Sequence, residues 1–182
     1  MIDNLPVSRR RFIVVSALSA AASAFWSACA RFQPAPALAP GERLTVEALA
    51  DQVIPPDEAP GGKEAGVAEF IDRQLRGPYR RHRAAYHAGL AKIDETSRRV
   101  AGAPFARLAF ERQTALLQSL EANRVPEGLW APGEAGEFFG MVVEHCLQGY
   151  YGSPRHGGNR DFASWKMLGL DTPQILGRVL KG

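Results

Sequence analysis

The chain has 182 residues, 46% of them hydrophobic and 23% charged. That composition is globular rather than fibrous or disordered, and the length suits one domain. Three arginines sit at positions 9–11, so past residue 30 the balance is 19 basic against 18 acidic residues; nucleic-acid binding needs a concentrated basic patch, and the only dense one, RGPYRRHR (Arg76 to Arg83), reads as a solvated helix face.

Residues 1–30 read as an export leader. Arg9, Arg10 and Arg11 precede a stretch from Phe12 to Ala30 that carries no charge and is rich in Ala and Ser. A basic start, a modest apolar run and Ala28-Cys29-Ala30 are the grammar of a secretory signal, with Ala28 and Ala30 small enough for signal peptidase and cleavage after Ala30. Arg9 and Arg10, set between Ser8 and Phe12, match the twin-arginine signal, so a periplasmic destination is expected. Two alternatives stay open. The run is near the ~20 residues of an uncleaved membrane anchor but is weakly hydrophobic, and a lipid-modified Cys29 is disfavoured by the bulk of Trp26. Once Cys29 is removed, Cys146 stands alone and no intramolecular disulfide can form. No C-x-x-C-H occurs, which excludes covalent c-type haem on this chain.

Residues 31–43, RFQPAPALAPGER, read as an extended Pro/Ala linker, leaving 44–182 as the folded domain. In LTVEALADQVIPP, Leu44, Ala48 and Leu49 are spaced for one helical face, with Thr45 as the cap and Pro55-Pro56 as the stop. After the loop DEAPGGKEAG, a second helix carries Val67, Phe70, Ile71 and Leu75 in a stripe that ends at Gly77-Pro78. Residues 79–100 predict a longer, more polar helix buried along Tyr79, Tyr86, Leu90 and Ile93. Pro104 opens another in PFARLAFERQTALLQSLE, with Phe105, Leu108, Leu116 and Leu120 facing inward, since Pro in a first turn removes no helical bond. EFFGMVVEHCLQGYYG is apolar nearly all round and therefore central. A Gly-rich segment follows, with one helical turn at DFASWKML and then an exposed tail. No stretch alternates as a strand does, so the fold class expected is all-α, an irregular bundle of about five helices with an extended N-terminal linker and a Gly-rich irregular C-terminal segment.

Enzyme motifs are scarce. The glycines at 152, 157 and 158 follow a helix at the wrong spacing for a dinucleotide fingerprint, and there is no G-x-x-x-x-G-K-[ST]. His82 and His87 lie five apart, off a shared helical face, and neither H-E-x-x-H nor a cysteine pair offers metal spacing. Cys146 near His145 or His156 is the one nucleophile–base set to consider, but it lies in the most hydrophobic helix, where a thiol is ordinarily inert. No catalytic, cofactor-binding or metal-ligating residue is assigned.

The densest stretch is GYYGSPRHGGNRDFASWKMLGL, residues 149–170. Gly152, Gly157, Gly158 and Pro154 give an irregular backbone that other chain can approach closely. Arg155 and Arg160 offer planar donors for carboxylates and carbonyls, Asn159 can bond its own backbone and set a turn, and Tyr151 and Trp165 are of the type enriched in interface cores. Two readings fit: a surface for another protein, or an internal clamp in which Arg160 and Asp161 cap helices while Trp165 closes the core.

Y-G-S-P-R-H-G-G-N-R-D-x-x-x-W-K-x-L-G, together with the early EALADQVIPP and the twin-arginine leader, resembles the gluconate 2-dehydrogenase subunit 3 family over nearly the whole chain. His156 departs from it, standing where an aromatic such as Tyr is more usual, and the tail is short. The resemblance implies a division of labour. A large subunit of the glucose-methanol-choline oxidoreductase type carries FAD and oxidises a sugar or sugar acid, and a cytochrome c subunit, where present, passes electrons to the quinone pool. The small subunit has no redox centre and helps the large one mature and reach the periplasm, with the twin-arginine translocase as a transient partner and the complex as its link to the membrane. The alternative is a stand-alone periplasmic helical module that binds a ligand or protein.

Overall fold

The computed structural model describes residues 35–170; the leader residues Arg9, Arg10, Phe12, Ala28 and Ala30 lie outside them, as does the tail past 170. Among the described residues are six α-helices and no strand: α1 (Pro40–Val53), α2 (Val67–Arg76), α3 (Arg83–Ala101), α4 (Phe110–Glu121), α5 (Glu134–Tyr151) and the short α6 (Ala163–Met167). Single 3-10 turns stand at Arg80–His82, Phe105–Arg107, Pro154–His156 and Arg160–Phe162. The all-α bundle is as expected, with five longer helices and a sixth of barely more than one turn.

Helix α1 begins at Pro40, inside the stretch read as linker. Proline at the first helical position gives up an N–H that has no helical acceptor, and Glu42 Oε2 accepts from the Ala39 N–H at 2.7 Å. Thr45 is therefore not the cap; it is buried, and its hydroxyl donates back to Gly41 O at 3.3 Å. The buried stripe is Thr45, Val46, Leu49 and Ala50, while Leu44, expected inward, is 57% exposed. The chain joins the core even before α1. Ala37 and Leu38 are buried, and both backbone N–H groups donate to Asp72 Oδ1, at 2.8 and 2.9 Å. Asp72 Oδ2 in turn pairs with Arg76 at 2.9 Å.

Two expected helices are broken. The first turn of residues 79–100 is a 3-10 turn, and α3 starts only at Arg83. Between 104 and 121 the backbone is extended at Leu108 and Ala109, with ψ of 152° and 153°. Phe105 is fully buried, its N–H donating to Asp94 Oδ1 at 3.1 Å and its carbonyl accepting from Gln113 Nε2 at 3.0 Å. Asp94 on α3 thus takes up an N–H that has no acceptor in a first helical turn, and Gln113 on α4 occupies the carbonyl that a continuous helix would have bonded to the N–H of residue 109.

Helix α5 packs against all five others. Its buried residues, Ala135, Phe138, Val142, His145, Cys146, Gly149 and Tyr150, follow a helical stripe. Its apolar residues are not buried all round, however: Leu147 and Tyr151 face out.

Candidate functional site

The Gly-rich segment folds back on the end of α5 and on the loop that joins α1 to α2. Helix α5 stops at Gly152, whose N–H still bonds Gln148 O at 3.0 Å but whose ψ of −178° takes the chain out of the helix. The return passes so close that a Cβ on Gly158 would lie 2.1 Å from Gly149 O, a clash with backbone that only glycine avoids. Across the contact, Gly66 has φ +81°, and a Cβ there would lie 2.9 Å from Gly157 O.

Asn159 fastens this return. It is fully buried with φ 46°, its amide donating to Gly152 O at 2.9 Å and its Oδ1 accepting from the Ser164 N–H at 2.9 Å. Asp161 and Phe162 also have positive φ, 54° and 59°, uncommon for non-glycine residues and rarer still for an aromatic one. Such backbone persists only where surrounding bonds hold it. Here the Arg160 N–H donates to Ala65 O at 2.9 Å, the Trp165 indole N–H to Tyr151 O at 3.1 Å, and the Tyr150 hydroxyl to Pro60 O at 2.9 Å.

The ten residues singled out in the sequence therefore fall into two layers. Gly158, Asn159 and Trp165 are buried, Gly152, Pro154 and Gly157 are half-buried, and Tyr151, Arg155, Arg160 and Asp161 are exposed. Arg160 and Asp161 cap no helix with their side chains. Arg160 Nη1 is 3.5 Å from Glu64 O, a weak contact. Asn159 holds the return in place, and Trp165 is buried against Tyr151 and Phe162, outside the main hydrophobic cluster that it was expected to close. What the motif search missed is the opposing surface, Pro60, Ala65 and Gly66; the glycines of GGKEAG were its only trace in the sequence.

Arg160 stands between two open clefts. One, of about 440 Å³, is lined by Arg43, Glu47, Lys63 and Glu69 among others. Its charges answer one another: Arg43 pairs with Glu47 at 3.2 Å and with Glu69 at 3.3 Å, and Lys63 with Glu47 at 3.7 Å. Partial burial pushes the Glu69 carboxyl up, but the hydrogen bonds from Arg73 and Arg43 outweigh it and hold the group below its usual range. The other cleft, of about 540 Å³, is lined by Glu58, Pro60, Glu64, Asp161, Lys166 and Met167 among others.

Away from the segment, Cys146 is buried and its thiol pushed up to about 12 by that burial, so it is protonated at neutral pH. His145 turns to other partners: Nδ1 lies 2.9 Å from the Tyr86 hydroxyl, and its ring stacks on Tyr79 at 4.3 Å. Burial first, then the neighbouring His82, lower the pKa of His145. No hydrogen bond joins the thiol to either histidine considered with it, so these residues do not form a nucleophile–base pair. Among the described residues no group of three or more His, Cys, Asp or Glu side chains is placed to hold a metal ion, and no helix is long and apolar enough to cross a membrane.

The model of the gluconate 2-dehydrogenase subunit 3 family matches residues 40–171, from the first residue of α1 to the end of the Gly-rich segment. No curated protein and no solved structure matches the chain. The chain belongs to the gluconate 2-dehydrogenase subunit 3 family, that of an accessory subunit of a dehydrogenase complex.

Proposed function

We propose that this member of the family is a non-catalytic small subunit that binds the FAD-bearing large subunit of a periplasmic dehydrogenase and supports its maturation, stability and twin-arginine export. The large subunit is of the glucose-methanol-choline oxidoreductase type and takes a sugar or sugar acid; a cytochrome c subunit, where there is one, receives the electrons. The observation that carries the proposal is the family match over residues 40–171, which takes in all six helices and the motif. The leader supports it: twin-arginine export carries folded proteins and serves those that take up a cofactor before crossing. A chain with Arg9-Arg10 and no cofactor motif of its own fits the role of escort to a partner that has the cofactor.

The test is a pull-down of the C-terminally tagged chain from native periplasm and membranes, with an absorbance spectrum of what accompanies it. A yellow, FAD-bearing dehydrogenase in one-to-one ratio is the expected result. A colourless monomer at native expression would reject the subunit role and leave the stand-alone binding module.

A further inference from the structure

Five of the large apolar side chains exposed among the described residues come from one short part of the chain. Leu147 and Tyr151 lie one turn apart on the outer face of α5, and Met167, Leu168 and Leu170 follow at and after the end of α6, the last three 46%, 54% and 43% exposed. Trp165 ties the two groups together, its indole donating to Tyr151 O and its carbonyl accepting from the Leu170 N–H at 2.8 Å. The apolar residues are thus held in place by the same bonds that clamp the motif.

The charges beside them differ from those elsewhere. The ion pairs of the described residues join side chains between positions 42 and 134. Among the described residues, Arg155 and Lys166 are exposed with no ion pair, and the Arg160 guanidinium has only its weak contact with Glu64 O. Asp161 is the sole carboxylate within residues 147–170, and although Glu58 and Glu64 line the cleft beside Lys166 and Met167, no ion pair joins any of the three to these cations among the described residues. An apolar centre with unpaired cations at its rim is complementary to a protein surface with an apolar centre and carboxylates around it.

We infer that Leu147, Tyr151, Met167, Leu168 and Leu170 form the docking face for the dehydrogenase large subunit, with Arg155 and Lys166 meeting acidic side chains at its edge, while the buried half of the motif holds this face in shape. The inference rests on the proposed subunit role for the existence of the partner; the face follows from the exposed side chains and their unpaired cations. It divides the motif, because Asn159, Gly158 and Trp165 act through position and the residues around them make the contact.

Full-length chains carrying Met167→Asp with Leu168→Asp, and separately Arg155→Glu with Lys166→Glu, are compared with the wild type for capture of the FAD-bearing dehydrogenase recovered with the wild type. Each pair is expected to weaken the complex at least about tenfold, with the melting temperature of the isolated chain unchanged, and added salt is expected to weaken wild-type binding. Val100→Asp, at a residue 60% exposed on α3, is expected to leave binding intact. Retained binding by the Met167/Leu168 pair, or loss in Val100→Asp alone, overturns the assignment of the face while the subunit role stands. A wild-type chain that captures no flavoprotein overturns both. Two further results reassign the occupant and overturn the inference: self-association of the isolated chain that Met167→Asp with Leu168→Asp abolishes, or binding of an apolar dye at this face that appears only when residues 171–182 are removed.

Discussion

Asn159 combines a left-handed backbone with two buried side-chain bonds, and each contributes to what a substitution there would do. Asn159→Ala leaves Gly152 O and the Ser164 N–H without these partners and places a Cβ-bearing residue with no local bond at φ 46°; a loss of about 2–4 kcal/mol is expected in urea unfolding. Asn159→Gly removes the same bonds but accepts the backbone freely, so it is expected to be about 1 kcal/mol less damaging than Ala. Equal or reversed effects would show that the left-handed turn is not what the position demands. Cys146 gives a second, independent check. Its thiol should resist alkylation in the folded chain at pH 8 and react on unfolding. A folded pKa raised to about 12 means that the contribution of this group is fully present below the unfolded value near 9 and is lost as pH rises through 12. The fall in stability over that window is therefore expected to be shallower in Cys146→Ala, with both variants followed by thermal melts. From sequence, the turn-setting role of Asn159 and the burial of Cys146 were legible. The acceptor at Gly152 and donor at Ser164 were not, because nothing local fixes how a chain rich in glycine folds back over seven and five residues.

At the scale of elements, the start of the fold hangs on one carboxylate. Asp72 on α2 accepts from the Ala37 and Leu38 N–H groups and pairs with Arg76. Asp72→Ala leaves two buried donors without this acceptor and is expected to cost about 2–4 kcal/mol, with the Ala37 and Leu38 amides losing protection in hydrogen exchange. Asp72→Asn keeps one acceptor oxygen and should lose less. Unchanged protection in Asp72→Ala would mean that burial alone anchors this segment. The same carboxylate explains why residues 31–43 read as linker: their Pro and Ala content is that of an extended chain, and the partner that orders 37 and 38 lies more than thirty positions later. Helix α2 was legible because its apolar residues fall on one stripe. The break at Leu108 and Ala109 was not, since it depends on Asp94 and Gln113 meeting Phe105 across the core. Helix α1 misled for a related reason. Thr45 satisfies its own hydroxyl within the helix and can be buried, which turns Leu44 outward.

For the whole molecule, family membership was legible because the Gly-Gly-Asn-Arg core and Trp-Lys stand close together in one short stretch of the chain, whereas the division of that motif into buried and exposed layers needed the fold. The proposed escort role makes one demand on the part of the chain farthest from that motif. If the partner is exported only as a passenger, its fate depends on Arg9 and Arg10, although these residues take no part in its chemistry. Replacing both with Lys keeps the charge and the apolar run of the leader, so export by the general secretory route would be unaffected if the leader used it, while export that depends on the twin-arginine pair is lost. The expected result is flavoprotein dehydrogenase activity retained in the cytoplasm, bound to the variant chain and still carrying FAD. Activity that reaches the periplasm unaided would show that the large subunit travels by its own signal and would remove escort from the role, leaving stabilisation. That remaining role has its own signature: a partner that binds only the folded chain raises its stability by mass action, by about 2.7 kcal/mol at a hundredfold excess over Kd. The melting temperature of this chain should therefore rise in the complex, and should do so for the Lys-Lys variant as much as for the wild type, because the substitution leaves residues 40–171 unchanged.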